Sequence, residues 1–258
     1  MYGGIRMKRR WLIGPFLFCS LLLSAQSKLT VTVSELPPLT SEAMPSKGLL
    51  AEILLAAFEG TPYSLDFRFF PLARTVAMRN KGEATVTIGN EVLYGKEIYW
   101  FVPICRGRAV FFYKKANYPS GINDARLSEL THFRIGVLNR SPLIDDLKKA
   151  GITNIDLSNS HESNIKKLAL NRVDLVLMVD LYGIHTLKDI GADIREYGMT
   201  EGYVLPVIGL LVLKSLPNSE DIAKTFLAGY SKIKANGKLK TILERYFGEG
   251  QIPGYFIQ

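Results

Sequence analysis

Few side chains in this 258-residue sequence have the types and spacing for covalent or metal chemistry. His132, His161 and His185 lack metal-ligand spacing, and no His-Glu-x-x-His occurs. There is no Gly-x-Ser-x-Gly elbow and no Gly-x-Gly-x-x-Gly loop. Gly89 and Gly95-Lys96 are one residue too far apart for a phosphate loop, and Glu97 stands where Ser or Thr is needed. Each histidine therefore reads as a surface or satisfied core residue. What remains is binding chemistry. Arg74 falls in the first turn of a helix opened by Pro71, where a cation meets an unfavourable dipole. Its guanidinium reads either as a carboxylate clamp or as a surface arginine paired with Glu35 or Glu42. Arg140-Ser141-Pro142 opens another helix, and its free N–H groups serve a plain N-cap or an anionic ligand group equally well. Asp180 follows an apolar run, where a helix-capping aspartate is the plain reading. Eight of the 27 aromatic residues fall within 94–118. Phe111 and Phe112 read as core, while Tyr94 and Trp100 suit stacking on a flat or apolar ligand.

The elements that must position these groups alternate along the chain. Lys28–Ser34 alternates polar and apolar with β-branched residues, a strand pattern. Leu36-Pro37-Pro38-Leu39-Thr40 cannot continue a ladder and reads as a loop. Gly48–Phe58 is a mostly apolar helix stopped by Gly60 and Pro62, Ser64–Phe69 a strand, and Pro71–Lys81 a helix ending at Gly82. Ala84–Ile88 is a strand with Val86 and Ile88 inward. Arg108–Tyr113 and Arg134–Leu138 are further strands, followed by a helix from Ser141-Pro142 to Ala150-Gly151 and a short strand at Asn154–Leu157. Asn159-x-x-Glu162 reads as a capping box for a helix through Leu170. Asp174–Val179 is continuously apolar, as for a strand buried on both faces. A helix at Tyr182–Ile190, a strand at Val207–Leu213 and helices at Ser219–Ala235 and Lys238–Tyr246 close the chain. Strands alternating with helices argue an α/β protein with mixed, mostly parallel sheets. In such sheets ligands bind beyond the C-terminal strand ends, which singles out Glu35 to Thr40 (Leu39 included), Arg74, Gly89 to Tyr94 (Asn90 included), Arg140-Ser141 and Asp180 to Tyr182.

Charge has to be located before it is interpreted. The chain carries 32 Lys+Arg against 24 Asp+Glu, a net +8, with 47% hydrophobic and 22% charged residues. That apolar fraction excludes a disordered or fibrous protein. Arg6, Lys8, Arg9 and Arg10 precede the apolar run Trp11–Leu23, and Ser24-Ala25-Gln26-Ser27 follows. This is the pattern of a cleaved export signal over residues 1–27, leaving Lys28 as the new N-terminus. The thirteen apolar residues are too few to cross a ~30 Å hydrocarbon core, which needs ~20. Removal of the segment leaves 231 residues with a net +4, and no Lys/Arg run resembles a nucleic-acid footprint. Cys105 is then the one remaining cysteine, expected to be a buried small hydrophobe without a disulfide partner.

The ordered set of these motifs resembles the periplasmic solute-binding proteins of the amino-acid-binding type, the bacterial extracellular solute-binding family 3. Leu36-Pro37-Pro38-Leu39 with Gly48–Glu52 is similar to the family's opening loop and first helix, and Phe70–Arg74 with Lys81–Ala84 to its second helix and next strand. Trp100-Phe101-Val102-Pro103 sits where the family has an aromatic and a proline before crossing to the second lobe. Phe133–Val137, Asn171–Leu175, Gly209–Lys214 and Lys234–Gly248 resemble the second lobe's first strand, a Gly-Arg-x-Asp turn, the return strand and the closing helices. The resemblance implies a two-lobed periplasmic binding protein type II fold joined by two hinge strands. Lobe 1 would be residues 28–106 plus 212–258 and lobe 2 residues 107–211. It implies anion-binding donors at Arg140-Ser141 and an ammonium-binding aspartate near Asp180, at a spacing one residue longer than usual. The family's Thr-x-x-Arg carboxylate grip is absent, and Tyr94 stands at the arginine's place.

The expected function is an exported, periplasmic solute-binding protein that captures a small polar or charged organic solute for a membrane permease. The expected ligand residues are Glu35, Leu39, Arg74, Asn90, Tyr94, Trp100, Arg140, Ser141 and Asp180. No catalytic residue, metal, cofactor or nucleic-acid partner is expected, and a monomer is. The alternatives are a sensory input protein for a membrane receptor and, third, a dehydratase-like enzyme with Glu35 or Glu91 as general acid.

Overall fold

The computed structural model describes residues 26–90, 97–124, 126–139, 141 and 143–256. Residues 1–25 of the export signal expected at 1–27, and the residues Glu91, Tyr94 and Arg140, lie outside the described residues. The first strand is β1 (Ser27–Ser34). The Pro37-Pro38 loop then leads to α1 (Leu49–Phe58) through Gly48, at φ +92°. A Cβ at Gly48 would stand 2.8 Å from the Leu39 carbonyl oxygen, so the loop can lie against the helix start only with glycine there. β2 (Tyr63–Phe70), α2 (Leu72–Asn80) and β3 (Val86–Asn90) follow.

β4 (Tyr99–Cys105) was not expected as a strand. It carries Pro103, and it lies at the edge of its sheet with a register shift beside Pro103, both settings in which a residue without an N–H donor is tolerated. β5 (Arg108–Lys114) follows after two residues, and then β6 (Ile135–Leu138), α3 (Leu143–Lys149), β7 (Ile155–Ser158) and α4 (His161–Ala169). The α4 cap corrects the expected capping box. Ser160, not Asn159, is the N-cap, and its side chain accepts from the Ser163 N–H at 3.1 Å. The strand reaches Ser158, one residue further than its sequence pattern, and moves the cap with it. The chain continues through β8 (Leu175–Val179), α5 (Asp180–Asp189), β9 (Tyr197–Met199), β10 (Tyr203–Val204), β11 (Ile208–Leu213), α6 (Ser219–Ala235) and α7 (Lys238–Phe247).

Two mixed sheets result. The first has the order β2-β1-β3-β11-β4, the second β10-β5-β8-β6-β7 with β9 also on β5. The β2-β1-β3 and β7-β6-β8 ladders are parallel, as helical crossovers require. β11, β4, β5, β9 and β10 join by antiparallel ladders. Two connections link the sheets, β4 to β5 and β10 to β11, and β11 belongs to the first sheet from Ile208 onward.

The cores explain the apolar runs. In the second sheet Leu175 and Leu177 of β8 pack with Ala109 and Phe111 of β5 against Leu143 and Leu147 of α3. Val176 and Met178 face the other way, with Val110 and Phe112, towards Ile165 and Leu168 of α4 and Leu187 of α5. Both faces of the sheet are thus covered, and β8 has no polar side. In the first sheet Leu29, Val31, Val33, Val102, Leu210 and Val212 bury against α1, α6 and α7. That core also takes in Leu181 of α5, Cys105 and Phe256, so the first turn of α5 and the C-terminal segment meet the first sheet. Cys105 is buried as expected, and burial pushes its thiol up to about 12. Among the described residues no helix is long and apolar enough to cross a membrane.

Candidate ligand-binding site

A cavity of about 320 Å³ lies between elements of the two sheets. Glu35, Leu36 and Pro37, directly after β1, form one wall. Leu138 at the end of β6, Asn159 to Glu162 around the start of α4, and Tyr182, His185, Thr186, Asp189 and Ile190 along α5 form the other. Both walls sit beyond the C-terminal ends of parallel strands, where backbone N–H groups and loops are free to meet a ligand. A second, more open cavity lies beside α3 and β7 of the second sheet alone, lined by Ser141, Asp145, Lys148 and Thr153 among others. Only the first cavity draws on both sheets.

The carboxylates around the first cavity already have partners. Glu35 accepts the Glu42 N–H at 3.0 Å, Glu162 pairs with Lys166, and Asp189 lies 3.1 Å from His185 Nε2. His161 differs. Its Nδ1 is enclosed with no hydrogen-bond partner, and its ring lies 5.4 Å from that of Tyr182. Burial holds its pKa below the usual histidine value, so the imidazole is neutral at pH 7. Burial likewise pushes the Tyr182 phenol up, so it stays protonated. The cavity therefore offers a neutral imidazole, the Thr186 hydroxyl and aromatic surface rather than reactive charge. Thr186 donates to the Tyr182 carbonyl at 2.7 Å and keeps acceptor capacity. Among the described residues no group of three His, Cys, Asp or Glu side chains could hold a metal ion.

No family model matches the chain, and no curated protein matches it by sequence. Solved structures do match its backbone. One is a histidine kinase sensor domain with similarity to periplasmic binding proteins, at 14% identity and TM-score 0.68 over 87% of this chain and 98% of that one. Another is the substrate-binding protein of an amino acid ABC transporter, at 14% identity and TM-score 0.65 over 86% and 100%. A third is an ABC uptake transporter substrate-binding protein from Streptococcus pneumoniae with bound histidine, at 17% identity and TM-score 0.67 over 88% and 94%. The chain has the two-lobed periplasmic-binding-protein type II fold.

In this type II fold the residues singled out from the sequence take different places. Glu35 lines the cavity between the sheets, and Leu39 is buried in the core beneath the same loop. Arg74 is exposed at the start of α2 and lays its guanidinium 4.6 Å from the Phe70 ring centroid. Asn90 ends β3, half-buried, opposite Ile208 of β11. Trp100 is turned towards α6, donating from Nε1 to Ser219 Oγ at 3.2 Å, with Lys214 Nζ 5.0 Å from its ring centroid. Ser141 accepts the Leu143 N–H at 3.3 Å and lines the second cavity. Asp180 is 4% exposed, and its carboxylate is engaged within the chain. Oδ1 accepts the Leu181 N–H at 2.8 Å, while Oδ2 accepts the Tyr255 hydroxyl and lies 3.5 Å from Arg108 Nε.

His161 and His185 were not read as site residues from the sequence, whereas Tyr182 closes the Asp180 to Tyr182 stretch that the strand-end argument singled out. The signal existed for His161. It follows a strand end and a helix cap, the same arrangement that drew attention to Arg140-Ser141. The histidines lack metal-ligand spacing, but an imidazole needs no metal to bind a solute.

Proposed function

We propose that the protein is an exported solute-binding protein that closes two lobes on a small polar or charged organic solute and presents it to a membrane permease. Lobe 1 comprises β1–β4, β11 and α1, α2, α6 and α7; lobe 2 comprises β5–β10 and α3–α5. The observation that carries this reading is the cavity walled by Glu35 to Pro37 of one lobe and by His161, Tyr182 and Thr186 of the other. Its volume suits a solute of a few to about a dozen heavy atoms, the lower end of ligand pockets. The lobes close by a hinge at the β4–β5 and β10–β11 connections. The fold is shared by binding proteins of ABC transporters, and the cavity lacks an arrangement of nucleophile, base and orienting group, so the reading is non-enzymatic.

The test is a thermal-shift screen of the exported chain against amino acids, amines, organic acids and small aromatics. A ligand that binds only the folded state raises the melting temperature. The expected hit loses its shift in Tyr182→Ala and His161→Ala and keeps it in Ser141→Ala. A hit indifferent to both cavity variants, or one that the protein turns over, defeats the reading. The likeness to a histidine kinase sensor domain favours sensory input as the second reading. Neighbouring genes separate the two, since permease and ATPase genes accompany uptake and a kinase gene accompanies sensing.

A further inference from the structure

Arg79 is the arginine that the sequence reading passed over. It lies in the last turn of α2, is only 6% exposed, and its Nε is enclosed without a hydrogen-bond partner. Among the described residues no ion pair or hydrogen bond engages its guanidinium, and the titratable neighbour that influences it is Tyr99. The Tyr99 hydroxyl is itself committed, donating to the Ala84 carbonyl at 2.8 Å and to the Arg79 carbonyl at 3.1 Å. Burial lowers the Arg79 pKa, yet a guanidinium stays charged throughout the physiological range. A buried charge without a counter-charge is among the most unfavourable arrangements a fold can keep.

The surroundings are shaped to keep it. Side chains on a helix lean towards its N-terminus, which carries the Arg79 head back along β3 towards the strand's C-terminal end. There it lies against Gly89. A Cβ at Gly89 would stand 2.7 Å from Arg79 Nη1 and 2.7 Å from Leu211 Cδ1, so the absence of a side chain at 89 is what admits the guanidinium. Gly89 is the second-last residue of β3, and C-terminal strand ends are where α/β sheets meet ligands. Nε is enclosed and unpartnered, and neither amino group is hydrogen-bonded to a described residue, so the two amino groups are the ones that can meet an incoming acceptor. Meanwhile Asp180, the carboxylate placed to hold a ligand ammonium, is occupied by Tyr255 and Arg108.

We propose that Arg79, seated on Gly89 between α2 and β3, is the buried anchor for the anionic group of a small organic carboxylate or phosphate. This deepens the solute-binding reading and rests on it, since it names the charge of the solute. The guanidinium fork accepts such a group through two parallel N–H···O bonds, and a desolvated pair of this kind is far stronger than one on the surface. The anion supplies a counter-charge that no described residue provides.

The experiment is an anion titration followed by thermal melting, with chloride adjusted to hold ionic strength constant. The probes are acetate, succinate, citrate and inorganic phosphate, applied to the wild-type chain, Arg79→Met and Arg79→Lys. In the wild type at least one probe raises the melting temperature saturably, and which one does so separates a carboxylate from a phosphate source. In Arg79→Met that dependence disappears, while the anion-free protein melts at or above the wild-type temperature, because a buried unpaired charge has been replaced by an apolar chain of similar length. Arg79→Lys folds, keeps the charge, loses the fork, and needs at least tenfold more anion for half the effect. Four results overturn the proposal, three of them in the anion titration. One is equal anion dependence in wild type and Arg79→Met, another is no stabilising probe in the wild type, and the third is an anion-free Arg79→Met that melts well below the wild type. A neutral or cationic solute that stabilises wild type and Arg79→Met alike would overturn the anion anchor and leave solute binding between the lobes standing.

Discussion

Arg108 and Asp180 face each other at the junction of the two lobes, with Arg108 Nε 3.5 Å from Asp180 Oδ2. Arg108 begins β5 and Asp180 begins α5. Tyr255, from the C-terminal segment, closes the group: its hydroxyl donates to Asp180 Oδ2 and its ring lies 5.1 Å from the Arg108 guanidinium carbon. The next residue, Phe256, is buried in the first core and its carbonyl accepts the Arg106 N–H at 3.1 Å. Tyr255 and Phe256 thereby join the start of β5 and the start of α5 to the first core.

Removing the Tyr255 hydroxyl leaves a buried carboxylate oxygen with only a long ion pair. Tyr255→Phe is expected to cost about 1–3 kcal/mol. For a chain of this size that lowers the melting temperature by roughly 2–12 °C. Limited proteolysis should cut the C-terminal segment faster in the same variant. An unchanged melting curve would mean that the hydroxyl is equally well solvated elsewhere.

Cys105 is enclosed, and burial raises its pKa to about 12. At pH 8 the thiolate fraction is negligible, and the thiolate is the nucleophile. Ellman's reagent should therefore label no thiol in the folded chain from Lys28 onward and one in denaturant. Rapid labelling under native conditions would contradict the packing around Cys105.

His161 gives a pH dependence with a definite sign. Its folded pKa is lowered by burial, whereas the unfolded value is near the ordinary ~6.5. Below that value the unfolded chain takes up a proton that the folded chain resists. The contribution to stability is thus full above pH ~7 and is lost as pH falls through ~6.5 towards the folded pKa, where it levels off. The difference in melting temperature between wild type and His161→Gln, followed from pH 8 to pH 5, should narrow or reverse on acidification. A difference independent of pH would show that His161 keeps its ordinary pKa in the fold.

Gly229 tests packing against propensity. It lies in the middle of α6, where Gly→Ala normally gains up to ~1 kcal/mol of helix stability. Here an added Cβ would stand 1.8 Å from the carbonyl oxygen of Ala57 at the end of α1. That neighbour is backbone and cannot swing aside, and forced repacking of helices costs typically ~1–3 kcal/mol or more. Gly229→Ala should therefore destabilise the protein, as denaturant melts would show by a lower midpoint at unchanged slope. A stabilised variant would mean that α1 and α6 are not held at this separation.

Local pattern determined much of this protein. The alternation at Lys28–Ser34, the apolar run at Asp174–Val179 and the Pro71 and Gly82 punctuation each became the expected element, because a strand's two-residue period, a doubly covered sheet and a helix's ends are set by adjacent residues. β4 escaped because Pro103 fits a strand at a sheet edge or a bulge, and both are properties of the whole sheet. The site divides in the same way. Glu35 and the loop around it follow from a strand end and two prolines. That Asp180 is committed to Tyr255, that Trp100 turns towards Ser219, and that Arg79 lies on Gly89 depend on partners 10 to 119 residues away along the chain. Hydrogen bonds and charges act over a few ångströms in space, and only the folded chain decides which residues those ångströms separate.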